Sequence, residues 1–287
     1  MAKRAKTETP TASGYLIIIG GHEDKEHEKL ILSEVASHAR QGLLLVMTLA
    51  SEAGLEQWKE YQKVFSGLGV KTLEHFHLDG RADTDVDKKI AIIERASVYF
   101  FTGGDQLRIT SKFGGTEYCD TLRRRHAQGA TVAGTSAAAS VLSETMLVSG
   151  PGDNSHRVGD TLRMAPGLGL LQGIIIDQHF AERGRIGRLI GAVTQNPRLL
   201  GIGIDENTAV IMHRQAFNII GAGAVYVVDA AHMNYTNVSE TKPDITLAAH
   251  NIKLDLLGSG DTYDLQQRRA FCDERRTRAA GNADGEA

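Results

Sequence analysis

The sequence predicts an α/β fold, a mostly parallel β-sheet flanked by helices, on three observations. Short β-branched runs such as Tyr15-Leu16-Ile17-Ile18-Ile19 recur along the chain and are apolar throughout, as in strands buried on both faces. Stretches with helical spacing of apolar residues separate them, and that alternation argues for a sheet covered on both sides. Several of the runs end in Gly-rich or Ser-containing turns, and open α/β sheets bind ligands beyond the carboxyl ends of their strands.

The elements follow in order. Tyr15–Ile19 is the first strand and Gly20-Gly21-His22-Glu23 its turn. Leu30, Ile31, Val35 and Ala36 mark a helix, and residues 43–48 the second strand. Trp58, Tyr61 and Phe65 mark a second helix, and residues 70–76 a third strand. The fourth, residues 97–101, ends in Thr102-Gly103-Gly104-Asp105-Gln106. A fifth begins at Thr131 and runs into Ser136. Further strands are expected at 173–177, 208–212 and 224–228, with a helix over 184–193. No linker divides residues 14–272, which read as one domain. The polar ends, 1–13 and 273–287, read as disordered tails.

Composition narrows the class. Hydrophobic residues make up 41% and charged residues 23%, the profile of a soluble globular protein. A net charge of -3 implies no general attraction to nucleic acid or membrane. The two cysteines, Cys119 and Cys272, do not form a disulfide framework or a zinc-binding pair, which suits a reducing compartment. No secretory signal or membrane-length apolar run is recognisable, so a cytoplasmic protein is expected.

The strongest chemical signal is Thr131-Val132-Ala133-Gly134-Thr135-Ser136-Ala137-Ala138-Ala139-Ser140. A strand, a tight turn and a run of helix formers place a lone hydroxyl at an apex, where a helix N-terminus favours developing negative charge. This is the pattern of a nucleophile elbow, with Ala138 where a glycine is usual. The ordinary alternative is a serine that caps a helix.

A serine nucleophile needs a base and a carboxylate to orient it. His179 follows the apolar run Ile174-Ile175-Ile176 and is the best base, while His22 is expected at the same edge. Glu206 is the attractive carboxylate, with Asp205, Asp177 and Asp153 competing. The N–H groups of Ala137 and of the Gly103-Gly104 turn suit an oxyanion hole. Arg183, Arg185 and Arg188 follow the histidine closely, and guanidinium forks recognise carboxylates. A solvated basic helix end or a phosphate site is the alternative.

In four segments the chain resembles the cyanophycinases, serine-type exopeptidases of the aspartyl dipeptidase fold group. They are residues 101–106, Gly134-Thr135-Ser136-Ala137, Asp177-Gln178-His179-Phe180 through Arg188, and Gly203-Ile204-Asp205-Glu206. The resemblance implies a class I glutamine amidotransferase-like α/β fold with a Ser136–His179–Glu206 triad. Gly104 and Ala137 would supply the oxyanion donors. Gln106, Asp177, Gln178, Arg183, Arg185 and Arg188 match substrate-pocket positions, with the arginines holding carboxylates and Asp177 a guanidinium. It implies hydrolysis of cyanophycin, a poly-aspartate whose side chains carry arginine, to β-Asp-Arg dipeptides. It further implies a homodimer and no metal or organic cofactor.

Rival readings are an α- or β-aspartyl dipeptidase with the same chemistry, or a non-catalytic binder of phosphorylated or aspartyl-arginine ligands. Neither GxGxxG nor GxxxxGK[ST] is present to support a phosphate loop.

Overall fold

The computed structural model describes residues 14–39, 41–82, 85–150, 157, 162–240 and 245–272. Both expected tails and the competing carboxylate Asp153 lie outside the described residues.

The first half alternates strands and helices. It runs β1 (Tyr15–Ile19), α1 (Leu30–Ala39), β2 (Leu43–Met47), α2 (Gly54–Gly67), β3 (Thr72–Phe76), α3 (Val86–Arg95), β4 (Ala96–Phe101), α4 (Gln106–Phe113), α5 (Glu117–Ala127), β5 (Thr131–Thr135) and α6 (Ala137–Val141). Strand-rich chain follows: β6 (Thr145–Ser149), β7 (Arg163–Pro166), β8 (Ile174–Gln178), α7 (Ile186–Gln195), β9 (Leu200–Ile204), β10 (Thr208–His213), β11 (Ala216–Gly221) and β12 (Val225–Asp229). The chain then forms β13 (Tyr235–Thr236), β14 (Ala249–His250), β15 (Lys253–Leu257), β16 (Thr262–Asp264) and β17 (Arg269–Phe271).

The unbroken apolar runs have a direct explanation. Successive side chains of a strand point to opposite faces. Ile17 and Ile19 of β1 pack with Ile31, Leu32 and Val35 of α1, whereas Leu16 and Ile18 join the core that includes Ile93, Ile109 and Leu122 from α3, α4 and α5. Tyr99 and Phe101 of β4 likewise face the second core, and Val98 and Phe100 the first. Each face is covered, so both sets of alternating positions are apolar.

The main sheet has nine strands in the order β17-β16-β11-β10-β1-β5-β4-β2-β3. Its β1, β5, β4, β2 and β3 are parallel, and β10, β11, β16 and β17 add antiparallel pairs beside β1. The fold class is therefore α/β as expected, with a mixed rather than purely parallel main sheet. Chain length between strands gives the reason. Only Arg214 and Gln215 separate β10 from β11, and a parallel crossover needs a dozen residues or more.

A second sheet, β15-β12-β9-β8, carries Ile174–Gln178. His179 therefore follows the carboxyl end of a strand in this second sheet, while Ser136 follows β5 of the main sheet. Ile174 and Ile176 of β8 face the shared core, while Ile175 packs with Leu189, Ala192 and Val193 of α7. Among the described residues no helix is long and apolar enough to cross a membrane.

Candidate active site

Three chain reversals meet between the two sheets. After β5 the backbone turns sharply at Ser136, with φ 56° and ψ -122°, a strained conformation for a non-glycine residue. The Ser136 N–H donates to the Ile19 carbonyl at 3.0 Å, tying the turn to the end of β1. Its hydroxyl makes no helix-cap hydrogen bond. The capping alternative is thereby removed, and Oγ lies instead 2.7 Å from His179 Nε2.

Ala138 does not obstruct the elbow. It is a buried helical residue, and the close approach falls on Gly134 instead, where a Cβ would stand 2.7 Å from the Ala138 carbonyl oxygen. The glycine that lets α6 pack onto β5 therefore precedes the serine.

His179 leaves β8 with φ 47°, its N–H donating to the Gly20 carbonyl at 3.0 Å. The residue is 3% exposed. Nδ1 lies 2.6 Å from Glu206 Oε1, and a carboxylate accepts, so Nδ1 carries the proton. Nε2 is left as the acceptor for the serine hydroxyl. Glu206 sits in the three-residue turn between β9 and β10. Its neighbour Asp205 instead braces the backbone, accepting from the N–H groups of Ala181 and Ala224 at 2.9 and 3.0 Å. The second Glu206 oxygen lies 3.1 Å from Nδ1 of the exposed His22, whose ring meets His179 edge to face at 5.1 Å.

Burial pulls the His179 imidazole below its ordinary value; the Glu206 hydrogen bond opposes this, and the nearby Arg183 adds to it. The imidazole therefore stays neutral, and able to accept a proton, somewhat below pH 6.5. The acidic limb of kcat/KM should have its midpoint below that value. A pH–rate profile with a midpoint above it would contradict the assignment.

The Gly103-Gly104 turn lies against Ser136. A Cβ on Gly103 would stand 3.1 Å from Ser136 Cβ. Gly104 has φ 146°, and a Cβ there would meet the Ala50 carbonyl oxygen at 2.5 Å, so no other residue fits. Gln57 of α2 clamps the turn: its Nε2 donates to the Gly103 carbonyl at 3.1 Å and its Oε1 accepts from Thr102 at 2.7 Å. Beneath the elbow, the buried Glu23 accepts from Thr135 Oγ1 and Tyr61 OH, both at 2.5 Å. Gln57 and Glu23 were missed from sequence. A glutamine on an amphipathic helix reads as solvated surface, and an acid in a turn reads as turn chemistry.

The expected pocket residues divide. Asp177 has no exposed surface and accepts from Arg188 Nε at 2.6 Å, from Arg188 Nη2, and from Arg185 Nη1 at 3.2 Å. Arg185 also donates to Gln178, to its side-chain oxygen and its carbonyl. Gln106 is buried and donates to the Leu147 and Val148 carbonyls. Arg183 alone of the three arginines is exposed, and it has no side-chain partner among the described residues. Asp177 already holds two guanidiniums of its own chain. It does not face open space, and its partners Arg185 and Arg188 are 8% and 6% exposed.

His22, His179 and Glu206 place three potential metal-ligand atoms within 4.8 Å of one another. Both Glu206 oxygens and His179 Nδ1 are already used in the hydrogen bonds above, so a bound cation would displace the triad geometry rather than assist it.

The model of peptidase family S51 matches residues 16–220. The chain belongs to that family. It is a hydrolase, a serine-type peptidase. A cyanophycinase of Geminocystis herdmanii is 34% identical over 253 residues, covering 86% of this chain and 92% of the relative. One from Trichormus variabilis is 35% identical over 273 residues, covering 93% and 91%. Among solved structures, a peptidase from an acI-B1 Actinobacterium superposes with a TM-score of 0.63 at 19% identity, covering 88% of this chain and 98% of its own. A putative peptidase E protein from Listeria monocytogenes gives 0.53 at 14%, covering 73% and 99%. These two likenesses speak to the fold alone.

Proposed function

We propose that this S51 peptidase hydrolyses cyanophycin to β-Asp-Arg dipeptides through an acyl-enzyme. The observation that carries the chemistry is the continuous chain Ser136 Oγ, His179 and Glu206, with hydrogen bonds of 2.7 and 2.6 Å. The substrate rests on the cyanophycinases to which the chain is similar over most of its length.

His179 Nε2 takes the hydroxyl proton as Ser136 Oγ attacks the α-carbonyl of the scissile peptide. The Gly104 and Ala137 N–H groups receive the oxyanion. Collapse of the tetrahedral intermediate expels the amine, which leaves with the proton from His179. Water, deprotonated by the same nitrogen, then attacks the ester and frees Ser136. Glu206 keeps Nδ1 protonated and stabilises the imidazolium without taking its proton. Losing one oxyanion donor from such a site costs about 10²–10³ in turnover.

A β-Asp-Arg unit presents carboxylates and a guanidinium together. Arg183, exposed and unpaired among the described residues, is the cation available to a carboxylate. Asp177 serves as counter-ion to Arg185 and Arg188, keeping that pair and Gln178 in position next to His179. Action as a homodimer in the cytoplasm is part of the same proposal.

The test is to incubate the protein with cyanophycin and weigh the products. Release of β-Asp-Arg in preference to cleavage of short aspartyl dipeptides is expected. Cleavage of the dipeptides alone would assign the chain to the dipeptidase reading.

A further inference from the structure

The parallel strands have two ends, and the reaction uses one. Ser136, His179 and the Gly103-Gly104 turn follow the carboxyl ends of β5, β8 and β4. At the opposite ends lies a cavity of about 460 Å³, bordered by Gly14 just before β1, Ile174 at the start of β8 and Leu200 at the start of β9. A five-residue strand separates the two regions by about 17 Å.

Among the described residues, four arginines line this cavity, Arg123, Arg198, Arg214 and Arg268, and no carboxylate does. They come from four separate segments: α5, the turn before β9, the β10–β11 hairpin and the stretch before β17. Two are partly neutralised from outside the cavity. Arg123 meets Asp120 at 3.2 Å and Arg268 meets Asp229 at 2.6 Å. Arg198 and Arg214 have no side-chain partner among the described residues. Four guanidiniums against two carboxylates leave an excess of two positive charges around an otherwise largely apolar hollow.

A second, independent feature belongs to the same cavity. His126 lines it, is 2% exposed, and its Nε2 is buried with no hydrogen-bond partner among the described residues. Its Nδ1 lies 2.9 Å from the Ala130 carbonyl, which only accepts, so Nδ1 carries the proton and Nε2 presents a lone pair. Burying such an acceptor unpaired costs about 1–3 kcal/mol. The arginines want an anion, and the histidine wants a donor.

We propose that this cavity is a second ligand site, separate from the catalytic centre, for a small organic dianion that also carries a hydroxyl or amino donor. Its anionic groups lie on Arg198 and Arg214, and its donor on His126 Nε2. The apolar residues between them hold a short carbon skeleton.

Malate and succinate are the probes, because they are dianions above pH 7 that differ by one hydroxyl. Calorimetric titration of the full chain, at ionic strength matched with sodium chloride, should show both binding and malate binding about fivefold tighter, the worth of one hydrogen bond. The variant R198Q/R214Q should weaken both at least tenfold while keeping the wild-type peptidase rate, which shows that it is folded. Arg183→Gln, at the catalytic edge, should leave malate binding unchanged. No binding of either acid, or retention of binding by R198Q/R214Q, overturns the site. Equal affinities for malate and succinate, or loss of binding in Arg183→Gln, overturns this arrangement of the ligand.

Discussion

Replacing Ser136 with alanine should lower hydrolysis by about 10⁵–10⁶-fold and leave the fold unchanged. The size follows from the chemistry: without Oγ there is no acyl-enzyme, and loss of the serine in such a triad removes nearly everything that base and orienting acid contribute. The fold survives because the side chain does nothing else. Oγ makes no cap bond to α6, and its partner is His179 Nε2. The turn is held by backbone, through Ser136 N–H on Ile19, and alanine accepts φ 56° at the same strain as serine. Urea unfolding should therefore move by less than about 1 kcal/mol, within the range of a neutral substitution. Product release by mass spectrometry and an unfolding curve on one preparation check both halves. Turnover within tenfold of the wild type would end Ser136 as the nucleophile. His179→Ala should fall to a similar floor, and the double variant no lower, since the two act as one unit.

The elements of the first half were legible because two physical signals agree there. Residues 15–19, 43–47 and 98–101 are apolar at every position, which requires cover on both faces, and the helices that provide it intervene in sequence. The second half kept the same local pattern while changing topology. Residues 208–213 look like β1, but the two-residue connection to β11 forces antiparallel pairing on that side, and the pairing with β1 on the other joins strands far apart in sequence. Loop length carried that information, and composition did not. At the site, Ser136, His179 and Glu206 could be nominated because each sits where a strand ends. Their convergence from two sheets could not be read, since it depends on how β8 packs against α6. The role of Asp177 was obscured for a related reason. An acid and three arginines within twelve residues suggest a charged site, but which of them face each other is settled by the path of the chain between β8 and α7.

That path makes Asp177→Ala the substitution with the largest expected effect on stability. The carboxylate has no exposed surface and neutralises two guanidiniums that are themselves buried. Burial, helped by the neighbouring Arg188 and Arg183 charges, pulls Arg185 down to about 10 even with Asp177 opposing it. Removing one partner of a buried pair strands the other, at a cost of about 3–5 kcal/mol. Two stranded arginines put this variant at the upper end, and urea unfolding should register it. A loss below about 1 kcal/mol would mean that water reaches the cluster. The pair is not needed for stability as such, because well-packed apolar replacements of buried ion pairs are often neutral or better. A variant with Asp177→Leu, Arg185→Met and Arg188→Met should therefore recover most of the stability that Asp177→Ala loses. Its activity on the polymer should stay low, since Gln178 loses the guanidinium that holds it and His179 follows directly in the chain. Stability restored together with activity would show that the cluster only fills space. Stability restored without activity would show that the buried charges are kept to position the strand end that carries the base.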